Sequence, residues 1–254
     1  MEFLVIGEQC LDTFIYGESR RLSPEAPVPI FTPEKTIVSG GMAKNVFNNL
    51  KSIIRVNNSN DKVRGLFSFH EAEKVRYVDR KTNHYFLRVD TGDDRYERMK
   101  FDPEANKFIA LADAILISDY AKGFIKSEDI AHIQLNMKSG AFLFLDSKSK
   151  LDWNVISLVN FIKLNKVEFN NLSPEYRNLK NIIVTLGEEG SYHNGVTYPT
   201  EVKHKTMDVS GAGDTFFAAF AFKYMNTKSV PQSIVFANEL ASKVVSQRGV
   251  SVYE

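Results

Sequence analysis

Several large classes of protein are excluded by what this sequence has little of. It holds one cysteine in 254 residues, so no internal disulfide can form, which fits a reducing compartment. Cys10 stands beside an apolar N-terminal run and reads as a core residue rather than a reactive thiol. Neither sign of charge is in excess, with 32 Lys plus Arg against 31 Asp plus Glu and a net charge of +1. General attraction to nucleic acid or to an anionic membrane is therefore not expected, and any phosphate recognition has to be local. No apolar stretch reaches the ~20 residues of a membrane-spanning helix, and the run from Met1 to Gly7 is too short, and lacks the basic start, for a signal peptide. The expected location is cytoplasmic. The histidines, His70, His84, His132, His193 and His204, show neither metal-ligand spacing nor a triad pattern.

What is present is alternation. FLVIG (3–7), AILISD (114–119), AFLFLD (141–146), FIKLN (161–165) and NIIVTLG (181–187) are short apolar runs, each ending in Asp, Asn or Gly. Runs of that length and composition suit strands buried on both faces. Helix-compatible stretches lie between several of them, such as SEDIAHIQLNMKSG (127–140), with Ser127 as N-cap and Gly140 as the stop. The pattern predicts an α/β fold, a mainly parallel sheet sandwiched by helices, with ligands bound beyond the carboxyl ends of the strands. Residues 12–38, punctuated by Pro24, Pro27, Pro29 and Pro33, and residues 75–100 break the alternation and read as exposed strands of a small projecting sheet. No repeat, low-complexity tract or boundary divides the chain, so a single domain over residues 1–254 is expected.

The stretch MDVSGAGDTFFAAFAF (207–222) carries the chemistry. Glycines let an anion approach backbone N–H groups without a Cβ in the way, and the first turn of the following helix adds its unpaired donors and positive dipole end. Gly211 and Gly213 supply that cradle, and Asp214 is the anomaly within it. A carboxylate beside a phosphate site repels the ligand unless it takes a proton from the attacking group. The other reading is a plain helix cap, and the residues alone leave both open. Phe216, Phe217, Phe220 and Phe222 read as packing that helix against the sheet. The third glycine of a dinucleotide fingerprint is missing.

DVSGAGDTF resembles the C-terminal signature of the ribokinase-type carbohydrate kinases. That resemblance implies a ribokinase-like fold with a small β-sheet lid, Asp214 as catalytic base, and the amides of Gly211, Ala212 and Gly213 as an anion hole for the γ-phosphoryl group of ATP. Other stretches agree in the family's order. GEQCLD (7–12) implies Asp12 as a sugar ligand, and SGGMAKNV (39–46) implies Gly40, Gly41 and Asn45 beside the sugar. NKVE (165–168) implies Asn165 and Glu168 near Mg²⁺ and phosphate, TLGEEG (185–190) puts Thr185 and Gly187 along the nucleotide, and Asn238 in FANELAS is carried over to the adenine side. Lys148, after a strand-ending aspartate, suits neutralisation of nucleotide phosphate.

RLSPEAPVPIF (21–31), KVRYVDR (74–80), LRVD (87–90) and ISDYAKG (117–123) resemble one branch more closely, the kinase domain of bacterial heptose-phosphate kinases. The implied reaction phosphorylates the anomeric oxygen of D-glycero-D-manno-heptose 7-phosphate, giving the 1,7-bisphosphate on the way to ADP-heptose. A substrate that already bears a phosphate needs fixed positive charge at its far end, for which Arg88 and Lys122 are the candidates, with Lys44 as a further one. A homodimer through the lid is implied as well. Alternatives are a ribokinase-like kinase of another sugar or sugar phosphate, and a non-catalytic sugar-phosphate-binding protein. Three departures stand out: Phe47 where a small residue is usual, Ser147 where proline is common, and a short segment between Asn45 and KVRYVDR. The last predicts the loss of one strand–helix unit near a sheet edge. The nucleotidyltransferase domain often fused to this kinase is not in the sequence, so a later adenylylation is expected to need a separate protein.

Overall fold

Phe3 and Val5 enter one hydrophobic core, and Leu4 and Ile6 enter another. A strand with both faces buried in this way, here β1 (Glu2–Gly7), must lie inside a sheet covered by helices on each side. The computed structural model describes residues 1–69, 72–200 and 210–245. After β1 come β2 (Gln9–Leu22), β3 (Pro29–Met42), α1 (Ala43–Val56), β4 (Lys62–Phe67), β5 (Ala72–Asp79), β6 (Tyr85–Thr91), α2 (Pro103–Leu111), β7 (Ala114–Asp119) and α3 (Ser127–Asn136). The chain continues through β8 (Phe142–Ser147), α4 (Trp153–Ile156), β9 (Phe161–Asn165), α5 (Lys166–Asn171), β10 (Ile182–Thr185), β11 (Ser191–His193), β12 (Val196–Tyr198), α6 (Ala212–Thr227) and α7 (Val230–Val244).

The large sheet has the order β12-β11-β10-β9-β8-β7-β1-β4. Pairing is parallel from β10 to β4, and antiparallel where β11 and β12 extend it. One face packs on α1, α6 and α7, with Phe216, Phe217, Phe220 and Phe222 all buried there as the sequence predicts. The other face packs on α2 and α3 through Ile109, Ile130 and Ile133. Five of the six parallel strands end in Gly7, Asp119, Ser147, Asn165 and Thr185, and the edge strand β4 in Phe67, so a mostly polar crest runs along the carboxyl ends of the strands.

β3-β2-β5-β6 form a second, smaller sheet. Its two outer pairs are antiparallel and its central β2–β5 pair is parallel. Pro33 is tolerated because β3 is an edge strand and the register slips beside it, between Tyr16 and Gly17 of its partner. The strands run from residue 9 to 42 and from 72 to 91, wider at the front and shorter at the back than the segments read from the sequence. Residues 93–100 carry no strand.

β4 closes the large sheet beside β1, and the chain passes from it directly to the small sheet. Phe47 meets the Phe67 ring edge-on at 5.6 Å, so the bulk at position 47 covers this last strand. Ser147 Oγ donates to Asp119 at 2.6 Å, a bond proline could not make. Ser127 is not the cap of α3 but its first helical residue; Lys126 is the N-cap, and its N–H donates to the Asp129 carboxylate at 2.9 Å.

Candidate active site

Gly211 takes the left-handed conformation, φ 83°, immediately before α6, which a residue with a Cβ adopts only at a cost. The first intrahelical bond runs from Thr215 N–H to Gly211 O at 2.9 Å. The amides of Ala212, Gly213 and Asp214 therefore precede the helical ladder and form its positive end. Lys163 stands beside this turn, since a Cβ added at Gly213 would lie 3.2 Å from its Nζ. The ammonium is buried and bonded to Asp146 at 2.7 Å. Burial opposes its charge, but the Asp146 carboxylate outweighs that and raises its pKa.

Asp214 does not cap the helix. The N-cap is Gly211, without a side-chain bond, and the Asp214 carboxylate turns to two other donors. Oδ2 accepts from Asn45 Nδ2 at 2.8 Å, and Oδ1 accepts from the Tyr120 hydroxyl at 2.9 Å. Only 7% of the residue is exposed. Burial raises its pKa to about 6, the Asn45 bond and Lys163 oppose the rise, and Asp146 adds to it. A carboxylate that changes protonation near neutrality, next to unpaired amides, is equipped to accept a proton from an alcohol.

Strand register builds the other wall. Asp12, Lys74 and Asp90 lie in one row across β2, β5 and β6, and Phe14, Arg76 and Arg88 in the next row of the same face. Arg76 and Asp12 form a buried ion pair at 2.5 Å, both side chains under a tenth exposed. Gly41 makes room for it, because a Cβ there would lie 1.9 Å from Asp12 Oδ2. Arg88 grips Asp90 through two bonds of 2.7 Å, and Lys122 Nζ meets Asp93 at 2.6 Å. Glu8, fully buried at the end of β1, accepts N–H bonds from Tyr120 and Lys122 at 2.9 and 3.0 Å and so fixes the turn after β7. Cys10 is buried beneath, its thiol pushed up to about 12 by burial and then by Asp12, as befits an inert core residue.

Two clefts meet at Asp214. One, of about 650 Å³, runs over the crest of the large sheet and is lined by Lys148, Asn165, Glu168, Thr185, Gly187 and Asn238 among others. The second, of about 420 Å³, lies under the small sheet against Asp12, Lys74, Arg76, Arg88 and Lys122. Tyr120, Lys148, Gly211 and Asp214 line both.

Several expected residues are also engaged within the protein itself. Asn45 is buried and lines neither cleft; its amide is spent on Asp214 and on Asn49. Gly41 likewise shapes the wall from behind, next to Asp12 and Cys10, whereas Gly40 packs against Lys44, and neither glycine lines a cleft. Asn165 and Glu168 form a reciprocal capping box on α5, each side chain accepting the other's N–H at 2.8 Å, so the two orient each other at the wall of the nucleotide cleft that both line. Asn238 ties α7 to the sheet, accepting from Ser191 Oγ at 2.6 Å and donating to Tyr198 O at 2.9 Å. Lys148 belongs to both clefts, its Nζ 4.4 Å from the Tyr120 ring centroid. His70, His204, Asp208 and Val209 lie outside the described residues. Sequence reasoning missed Glu8, Lys74, Arg76, Tyr120, Asp146 and Lys163 as site residues. The available signal was a charged residue at a buried strand position, as in FIKLN and KVRYV.

The model of the pfkB family carbohydrate kinases matches residues 74–253. The bifunctional protein HldE of Bradyrhizobium diazoefficiens is 29% identical over 98% of this chain, and that of Helicobacter pylori J99 is 31% identical over 98%. This chain spans 60% and 63% of their lengths. The first alignment runs over 299 positions against 254 residues here, so it has gaps on this side. The fold is also that of Arabidopsis thaliana ribokinase complexed with ribose and ATP, with a TM-score of 0.68 at 16% identity, covering 97% of this chain and 93% of that one. Family match, sheet topology and the Gly-rich turn agree, and the chain belongs to the pfkB family of carbohydrate kinases, phosphotransferases with an alcohol group as acceptor.

Proposed function

We propose that the protein transfers the γ-phosphoryl group of ATP to a hydroxyl of a sugar phosphate, most specifically the anomeric hydroxyl of D-glycero-D-manno-heptose 7-phosphate. The observation that carries this is the meeting of two clefts at one buried carboxylate. ATP occupies the cleft over the crest, with its terminal phosphate against the amides of Ala212 and Gly213 and beside Lys163. The sugar lies under the small sheet with a hydroxyl on Asp214 and others on Asp12. Asp214 takes the hydroxyl proton as the sugar oxygen bonds to the γ-phosphorus and the bond to the β,γ-bridging oxygen breaks. The amides and Lys163 hold the charge on the transferring group.

Lys74, Arg76, Arg88 and Lys122 line a sugar-sized cleft together with the carboxylates of Asp12, Asp90, Asp93 and Asp214, so a substrate that carries its own anion is supported where a cation can leave its carboxylate for it. Arg88 and Lys122 rest on Asp90 and Asp93 at the surface, and these are the cations that exchange a carboxylate for the substrate's phosphate. Likeness to the HldE proteins supports heptose 7-phosphate in particular.

Hard oxygen donors fit Mg²⁺ here. Glu168 and Asp146 both face the nucleotide cleft, and two carboxylates suffice for an ion that keeps waters and shares ATP's phosphates. Bound there, Mg²⁺ supplies charge neutralisation at the phosphate oxygens. The small sheet acts as a lid within a single kinase domain, and its outward row of Val38, Val75 and Val89 supports dimerisation through it.

The test is ADP release by purified protein with ATP, Mg²⁺ and a panel of sugars and sugar phosphates. Turnover with heptose 7-phosphate that is lost in Asp214→Asn is expected. Turnover with another sugar phosphate reassigns the substrate, and tight binding without any turnover overturns the catalytic reading.

A further inference from the structure

We propose that the Tyr120 hydroxyl shields Asp214 from water, so that ATP is not hydrolysed until a sugar alcohol replaces it on the carboxylate. This rests on the functional reading above and deepens it. A kinase with a poised base and a bound nucleotide faces one competing acceptor at 55 M concentration: water can lose its proton to Asp214, bond to the γ-phosphorus and release ADP and phosphate. Something must keep it off the base.

The two donors on Asp214 differ in one decisive respect. Asn45 is 1% exposed, belongs to α1 and lines neither cleft, so its bond to Oδ2 stays whatever enters. Tyr120 lines both clefts, so its bond to Oδ1 is the exchangeable one. Its hydroxyl, an O–H donor at 2.9 Å, sits where an acceptor alcohol has to donate. Burial and the Asp214 charge hold the phenol's pKa well above 10, so it remains a donor at any working pH. The ring is held in place, with Lys148 Nζ 4.4 Å and Lys74 Nζ 5.8 Å from its centroid and the Tyr120 N–H bonded to Glu8, so the phenolic oxygen stays put and what yields is its hydrogen, which can turn about the C–O bond away from Oδ1. A sugar alcohol backed by several anchoring contacts displaces the hydroxyl; a lone water has no such support.

The experiment measures ADP release by the whole chain with ATP and Mg²⁺, with and without the sugar that wild type phosphorylates. In Tyr120→Phe, sugar-free hydrolysis is expected to rise roughly tenfold or more, the factor that a lost hydrogen bond to a charged group commonly carries. Tyr120→Leu, which also lacks the hydroxyl, shows the same rise. Adding Asp214→Asn to Tyr120→Phe abolishes it. The acid limb of the hydrolysis moves to higher pH, since the phenol's bond lowers the Asp214 pKa while Asn45, Asp146 and Lys163 around it are unchanged. Sugar-free hydrolysis unchanged or reduced in both Tyr120 variants, with wild-type sugar turnover intact, overturns the proposal. Absence of sugar turnover in wild type instead removes the functional reading, and this inference with it.

Discussion

Asp214 is expensive to keep ionised, and that expense has a measurable sign. Its folded pKa of about 6 lies above the ordinary 3.8, so the native state binds the proton more tightly than the unfolded chain does. The associated stability is present below pH 4 and is lost as pH rises to about 6. Asp214→Asn escapes that penalty and keeps the shape. The variant is expected to melt at or above the wild-type temperature at pH 7.5 while kcat falls by about 10²- to 10⁴-fold; thermal melts and ADP-release rates check both. Gly41 is a second single-atom matter. Gly41→Ala would bring a methyl 1.9 Å from Asp12 Oδ2 and 2.6 Å from Cys10 Sγ, so Asp12 must move. The expected result is a sugar KM raised roughly 10- to 100-fold, the worth of a displaced bond to a charged group, with the KM for ATP little changed.

At the scale of elements, the small sheet has two unlike faces, a charged one toward the cleft and a more apolar one away from it. The inner face depends on the Arg76–Asp12 pair, which is buried on both sides. Arg76→Met leaves that carboxylate without its partner and is expected to cost about 3–5 kcal/mol in urea denaturation, whereas Asp12→Leu with Arg76→Met recovers most of it and stays inactive. The parallel core of the large sheet was legible because β1, β7, β8, β9 and β10 are buried on both faces and carry almost nothing but apolar side chains. β4, KVRGLF, was not, because as an edge strand it carries charges such as Lys62 and Arg64, both of which reach Glu2 of the neighbouring β1. The site divided in the same manner. Asp214 and its glycines were legible since turn chemistry is local. Glu8, Arg76 and Lys163 were not, since what makes a buried ion tolerable is a partner brought in by another strand or turn, and one sequence does not show the pairing.

At the scale of the whole molecule, two clefts, one base and two sheets have to come together for transfer to occur. The outer face of the small sheet carries Val38, Val75 and Val89 in one row and Ile15, Tyr77 and Leu87 in the next, with Val38 and Leu87 each more than half exposed. If this face joins two copies, Leu87→Arg shifts the sedimentation of a dimer to that of a monomer, and an unchanged profile removes the lid as the contact. The central claim, that Asp214 is the proton acceptor between the clefts, is tested most directly by the pH dependence of kcat/KM for sugar phosphorylation. The account predicts an acid limb with a midpoint near pH 6, set by the Asp214 carboxylate, and a residual rate in Asp214→Asn that no longer shows that limb. The same limb persisting in the Asn variant, or a rate that does not depend on Asp214 at all, contradicts it.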